Sequence, residues 1–480
     1  MPICGIHRLG GMKIAVDEII HGFMNNTTLA FARILCYDTF NQNKSQNLWA
    51  IKEIFHMSLP ISKNYSLTAG GKPVDVFHTE KGDFAIVCFT GAMDMVVTAQ
   101  NPFEEVTVRP LRQGYKADIK GNQINLTLSH TDRVSVEPYG LENPLFILCS
   151  EYIEKPKHAT HVFERGTVTE IDILTLKTDD CVYIEEGAVV IGGIAADKAN
   201  NIEITGNGIM WGLPMQEKEK MYRAILPVEC EGVKISGITI ADSPSWNVVP
   251  TACKDVTIHG VNVLGVVIST DAFDIVGCED VTLMHCFACV NDDCVAIKAC
   301  HYNGSRGARS VRNIVVKDCV FWKLTCGNAL EIGFETSGNE ICDVLFEDID
   351  IIHSQREGWQ SGAVFSIHNG DRAHVHKVRF QDIYIEDAQE KLIDIKILTS
   401  KYSADKHRGH VSHITFDGIY VKGDVLPPSI IRGYEPDNEG AEIHLIRDIT
   451  VSNLYLNDEK ITGQLNAHAV VELGTNVKFI

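Results

Sequence analysis

A short strand-like pattern recurs nine times between residues 201 and 453, and it limits the fold more than any other feature of the chain. Most copies set a polar residue before a Val or Ile, continue with one polar and one apolar position, and close on a small or polar residue. The repeated positions are Ile202, Val233, Val256, Val281, Ile314, Val344, Val378, Ile414 and Ile449, spaced 23 to 36 residues apart. A constant strand joined by connections of variable length marks a solenoid, in which each coil stacks on its neighbours and extra residues leave as loops. A doubly wound α/β fold would need a helix between strands, and spacings of 23 and 25 leave little room for one. Cys230, Cys253 and Cys278 each stand three residues before a repeated Val, so they should stack as a ladder at one turn.

Upstream the texture changes. Asp83–Gly91, Glu105–Pro110, Gln123–Ser129, Arg133–Pro138 and Pro144–Cys149 read as short strands separated by turn residues, the pattern of a β-sandwich. Residues 1–50 carry no readable pattern. A turn-rich stretch at Glu154–Pro156 is the expected boundary. The fold expected is all-β: a smaller sandwich-like domain over 1–155, then a right-handed parallel β-helix over 156–480.

With 45% apolar residues and balanced hydropathy, the chain suits a well-buried globular protein, and no apolar run is long enough to span a bilayer. The net charge of −20 argues against nucleic acid and anionic surfaces as partners, since binding them requires cations to neutralise phosphate. The first 22 residues mix Arg8 and Lys13 with Asp17 and Glu18 and lack the apolar centre of a secretory signal. Fifteen scattered cysteines, an odd number, look like reduced thiols. A cytoplasmic location is expected, a secreted mature form being the alternative. Cys286 and Cys289 form a CxxC beside His285, but no second pair follows at zinc-ribbon spacing, and small thiols suit a β-helix interior.

The chemistry concentrates in Ser269–Ile275 and Asn291–Lys298. Asp271 precedes Asp292 by 21 residues, close to one coil, so it should lie directly above or below the pair Asp292/Asp293. Strands in such a ladder are about 4.8 Å apart, which crowds three carboxyl groups into one patch. Like charges this close raise one another's pKa, and an acid that stays protonated beside ionised neighbours is what general acid/base catalysis requires. The plain alternative is that the Asp pair caps a turn. Neighbouring residues in a strand face opposite ways, so both can serve one site only at a bend or strand end.

Three further motifs carry a resemblance. Thr178–Gly192 (TDDCVYIEEGAVVIG), Ile204–Gly208 (ITGNG) and Asp242–Pro250 (DSPSWNVVP), together with Thr270–Ile275 (TDAFDI) and Asp292–Asp293, resemble in order the polygalacturonase-like family of glycoside hydrolases over about residues 160–420. An added N-terminal β domain is similar to that of the related dextranase and isopullulanase family. The resemblance implies polysaccharide or oligosaccharide hydrolysis with inversion, without metal or other cofactor. It makes Asp292 the general acid, with Asp271 and Asp293 holding and activating the attacking water. Coil spacing alone leaves the stereochemistry open, because acids one coil apart could start near the shorter separation of retaining enzymes.

Two positions depart from that family. Gly327–Asn328–Ala329 stands where its members carry Gly-His-Gly, and Asp394–Ile395–Lys396 where they carry Arg-Ile-Lys. Arg to Asp reverses a charge and removes a fork suited to carboxylates, so neutral or sparsely charged oligosaccharides are expected in place of polygalacturonate. Asn328 and Lys396 are the candidate substrate contacts at these positions. Glu335 is a further acid on the same side. Trp246, Trp322 and Trp359 are either sugar platforms or groove-filling aromatics. His368, Asn369, Asp371 and Arg372 form either a sugar subsite or a solvated turn. Three alternatives remain: a pectin-type polygalacturonase; a uronate lyase or epimerase, which needs a basic residue near the acids, such as Lys298 or Lys396, and often calcium; and a non-catalytic carbohydrate-binding β-helix.

Overall fold

The computed structural model describes residues 59–217, 222–301, 307–356, 362–437 and 442–480, so residues 1–50 and Trp359 lie outside the described residues. From residue 161 onward the chain winds as a parallel β-helix, with one 20-stranded curled sheet and one 7-stranded sheet. The repeated Val/Ile positions are register partners from coil to coil: Ile202 with Val233, Val233 with Val256, and so on without a break to Ile414 with Ile449. All nine are buried in one continuous core.

The polar residue before each of them has a conformational reason. Asn201, Asp255, Asp280, Asn313, Asp343, Lys377, His413 and Asp448 have φ of 53–58°, and Gly232 has 73°. Each coil turns a corner there through the left-handed region, which Asn, Asp and Gly enter at least cost. Stacked aromatics repeat the coil spacing inside: the Phe346, Phe380 and Phe416 rings lie 4.9 and 4.7 Å apart and nearly parallel. The expected cysteine ladder is also present, with the Cys230 N–H donating to Cys253 Sγ and the Cys253 N–H to Cys278 Sγ. Cys286 packs in the β-helix core and Cys289 in a separate cluster against the N-terminal strands, so the CxxC sulfurs serve different packing regions. Among the described residues no helix is long and apolar enough to cross a membrane.

Two five-stranded sheets precede the β-helix and enclose a core of their own. One contains Tyr65–Ala69, Ala92–Ala99 and Gln123–Ser129; the other contains Asp83–Cys88, Thr107–Arg109, Arg133–Glu137 and Leu145–Ser150. Leu145–Ser150 reads Leu-Phe-Ile-Leu-Cys-Ser because both faces are covered. Leu145, Ile147 and Cys149 face the sandwich core, while Phe146 and Leu148 pack with Val189, Ile209, Trp211, Phe287, Trp322 and Ile352 of the β-helix. Trp322 is fully buried and meets Phe146 edge-on at 5.7 Å, so of its two expected roles it takes the packing one.

Candidate active site

The 7-stranded ladder includes Phe273–Val276, Val295–Lys298, Leu330–Phe334, Ala363–Asn369 and Lys391–Ile397. The acids sit where the chain enters this ladder. The Asn247 N–H donates to the Asp271 carbonyl, the Ala272 N–H to the Asp293 carbonyl and the Cys294 N–H to the Asn328 carbonyl. This stacks Asp271, Asp293 and Asn328 on successive coils. Residues 291–292 form a bend, not a strand, which lets Asp292 and Asp293 serve the same place. One oxygen from each of Asp271, Asp292 and Asp293 lies within 4.8 Å of the other two. Gly327 (φ 73°) closes over them, and a Cβ there would come within 2.5 Å of the Asp292 carbonyl carbon, so a side chain cannot be accommodated without moving the acid.

The trio differs internally. Asp271 and Asp293 are buried and Asp292 is half-buried. Burial and the neighbouring acids, Asp274 and Asp292 for Asp271, Asp292 and Glu331 for Asp293, hold both carboxyls well above the ordinary range. Burial also raises Asp292, opposed by Lys298 and by N–H donation from Asp293 (3.1 Å) and Ser269 (3.2 Å). Asp274, fully buried with both oxygens lacking a hydrogen bond, is pushed up to about 7, chiefly by burial. A buried cluster of this kind cannot carry all its charges at once, so protons are retained near neutral pH.

Lys298 supplies the compensating charge. Its Nζ lies 3.3 Å from Glu335 and 3.7 Å from Asp274, and 4.4 Å from the Trp246 ring centroid. Burial pulls its pKa down, but Glu335, Asp274, Asp271 and Asp293 overcome this and hold it well above the ordinary value. An ammonium so held is a poor proton acceptor, which disfavours Lys298 as the base of a lyase.

The other candidates divide. Glu335 and Trp246 stand beside Lys298, with the Arg223 guanidinium 4.8 Å from the same indole. Asn328 is buried with its groups engaged: its backbone and side-chain N–H groups donate to Asp293 Oδ1 (2.7 and 3.2 Å), and its Oδ1 accepts from Ser366 and Ala363. Its expected substrate contact is therefore corrected to an anchoring role, fixing one Asp293 oxygen. His368 is corrected in the same way, being sealed between Glu331 (3.0 Å) and Asp394 (3.4 Å) and stacked on Phe334. Burial opposes its protonation, yet the two acids raise it to about 9.

Asp394 faces Lys396 at 2.8 Å and Lys391 at 3.2 Å. Against the effect of burial, His368, Lys396 and Lys391 hold it below the usual carboxylate range. Lys396 keeps partial exposure but is already paired. The polar loop resolves into support: Asn369 and Asp371 are buried and bind Thr336 and the 404–405 backbone, while Arg372 is half-exposed and paired with Asp405 at 2.8 Å.

Glu331 and Asp274 were the residues sequence reasoning passed over. Both left a signal, a lone acid within an apolar strand (Leu-Glu-Ile-Gly-Phe and Phe-Asp-Ile-Val) whose burial would demand a partner.

Residues 189–403 match the family model described as Glycosyl hydrolases family 28. A probable polygalacturonase from Vitis vinifera is 30% identical over 165 residues, which cover 32% of this chain and 33% of the relative. A probable polygalacturonase from Arabidopsis thaliana is 22% identical over 193 residues, covering 40% of this chain and 38% of the relative. The match thus spans about a third of the length of these curated relatives. Dex49A from Penicillium minioluteum superposes with a TM-score of 0.63 at 14% identity, covering 85% of this chain and 91% of that one, a likeness of fold that includes the β-helix. The family resemblance carried by the sequence motifs is therefore borne out by a family-model match over residues 189–403.

Proposed function

We propose that this chain hydrolyses O-glycosidic bonds by general acid/base catalysis, acting on oligosaccharides that are neutral or sparsely charged. The observation that carries the reading is the trio Asp271, Asp292 and Asp293, its oxygens within 4.8 Å, beside the buried ammonium of Lys298. Asp292 is the member with access to a ligand, which suits the acid that protonates the leaving oxygen. Asp271 and Asp293 lie deeper and suit the holding of water. Their close spacing does not by itself select inversion, which rests on the family resemblance. Following the first-formed anomer by NMR tests it: an inverted product is expected, and a retained one would overturn that assignment.

The charges around the site support the substrate class. Lys298, Lys391, Lys396, Arg372 and Arg432 each already face a carboxylate, and Arg223, beside Trp246, donates to Ser245 Oγ at 2.7 Å. A uronate entering without a new cation would cost about 1–3 kcal/mol for each unsatisfied carboxylate. Initial rates at matched chain-end concentration should therefore be lower on polygalacturonate than on short neutral α-glycosides by at least about tenfold. The second reading, a pectin-type substrate, is favoured by the names of the plant relatives, and faster release from polygalacturonate would establish it. An unsaturated product absorbing in the ultraviolet would instead support the lyase. The described cysteines are free thiols, which supports work in a reducing compartment such as the cytoplasm.

A further inference from the structure

We propose that His410, Glu442 and His444 bind a divalent transition-metal ion of the zinc type, at a site separate from the acid trio. His410 opens the strand His410–Val421, beyond the C-terminal end of the ladder strand Lys391–Ile397, whereas the trio precedes the N-terminal ends of its ladder strands. One ligand atom from each of the three residues lies within 4.8 Å of the others. The His410 and His444 rings have centroids 5.7 Å apart.

His444 is prepared for the role. It is buried, and its backbone forms a two-way bridge with Tyr434, with N–H to O distances of 2.9 and 2.8 Å. Its Nδ1 lies 3.1 Å from the Gly409 carbonyl, so Nδ1–H donates there and Nε2 carries the lone pair. An imidazole whose second nitrogen is held by a carbonyl is the usual outer support of a metal-bound histidine. His410 and Glu442 are exposed, and among the described residues no hydrogen bond or ion pair occupies the His410 ring or the Glu442 carboxylate. Two imidazoles and one carboxylate are borderline donors suited to zinc, nickel or copper, whereas magnesium and calcium select oxygen. Three such ligands leave a coordination position for water.

Two other groupings are less available. In His158, Cys181 and Glu203, the histidine already faces Glu203 at 2.9 Å and burial pushes the thiol up to about 11. In Glu340, Cys342 and His376, the carboxylate is shared between Arg312 and His376. A metal at His410, Glu442 and His444 would tie residues 34 positions apart and would favour the native state by binding it alone.

The test uses the full chain, stripped with chelator, dialysed against limiting zinc chloride and assayed for retained metal and melting temperature. The parent should retain one equivalent and melt higher with zinc. His410→Ala and His444→Ala should both lose that equivalent and its melting shift, Cys342→Ala should keep them, and magnesium should not substitute. Because His410 is exposed, His410→Ala should melt like the metal-free parent, which separates lost binding from lost folding. Retention in either histidine variant, loss only in Cys342→Ala, or no zinc held by the parent would overturn the proposal.

Discussion

Asp292→Asn is expected to fold like the parent and to lose glycosidic turnover by about 10²–10⁴-fold, the range commonly removed with a general acid. The amide keeps the size of the carboxyl, so Gly327 can still close over it. One of the two backbone N–H donors, from Asp293 or Ser269, would then meet an NH₂ group, at a cost of about 1 kcal/mol. Reducing-end release and thermal melting measured on the same preparation separate the two effects. A variant that kept activity within a few-fold of the parent would make Asp292 a turn cap and remove the mechanism proposed above.

Lys298→Met should act mainly on stability. The thioether can occupy the space of the lysine stem, but Asp274 and Glu335 would lose the ammonium 3.7 and 3.3 Å away. Breaking a buried pair from one side costs about 3–5 kcal/mol. The pH dependence has a definite sign. In the parent Asp274 titrates at about 7, above its ordinary 3.8, so the folded state binds the extra proton between those values and Asp274 favours folding less as pH rises through them. Without Lys298 the folded value rises further, because the ammonium that lowered it is gone. The deficit should therefore be largest above neutrality and shrink toward acid pH, where Asp274 is neutral in either variant. Urea unfolding at about pH 5 and about pH 8 measures this; an equal deficit at both would mean that Lys298 contributes packing and not charge.

The acids and the coils were legible for the same reason. Each coil reuses one backbone corner, so Asp280–Val281 and Asp343–Val344 announce themselves locally, and the step from Asp271 to Asp292 could be referred to that period. Pairings among charged residues on the ladder were not legible. Glu331 meets His368, 37 residues away, and His368 meets Asp394, 26 further on, through loops whose lengths do not reveal register. Asp394 shows the difficulty: as a letter it replaces a cation with an anion, whereas in the fold it joins His368, Lys391 and Lys396 in a buried network. Trp322 and Trp246 were likewise indistinguishable by type, because one faces the N-terminal strands and the other stands over Lys298.

The sheet that contains Asp83–Cys88 and Leu145–Ser150 has apolar side chains on both faces, and this bears on how the chain is made. Synthesis delivers this sheet before the β-helix, with Phe84, Phe146 and Leu148 waiting for partners that extend to Trp322 and Ile352. About two hundred residues must leave the ribosome before the last of those partners arrives, so an adhesive surface stays uncovered for roughly 10–40 s at ordinary elongation rates. A nascent chain stalled before Ile352 should accordingly be a preferred client of holding chaperones, and one stalled beyond it should be released.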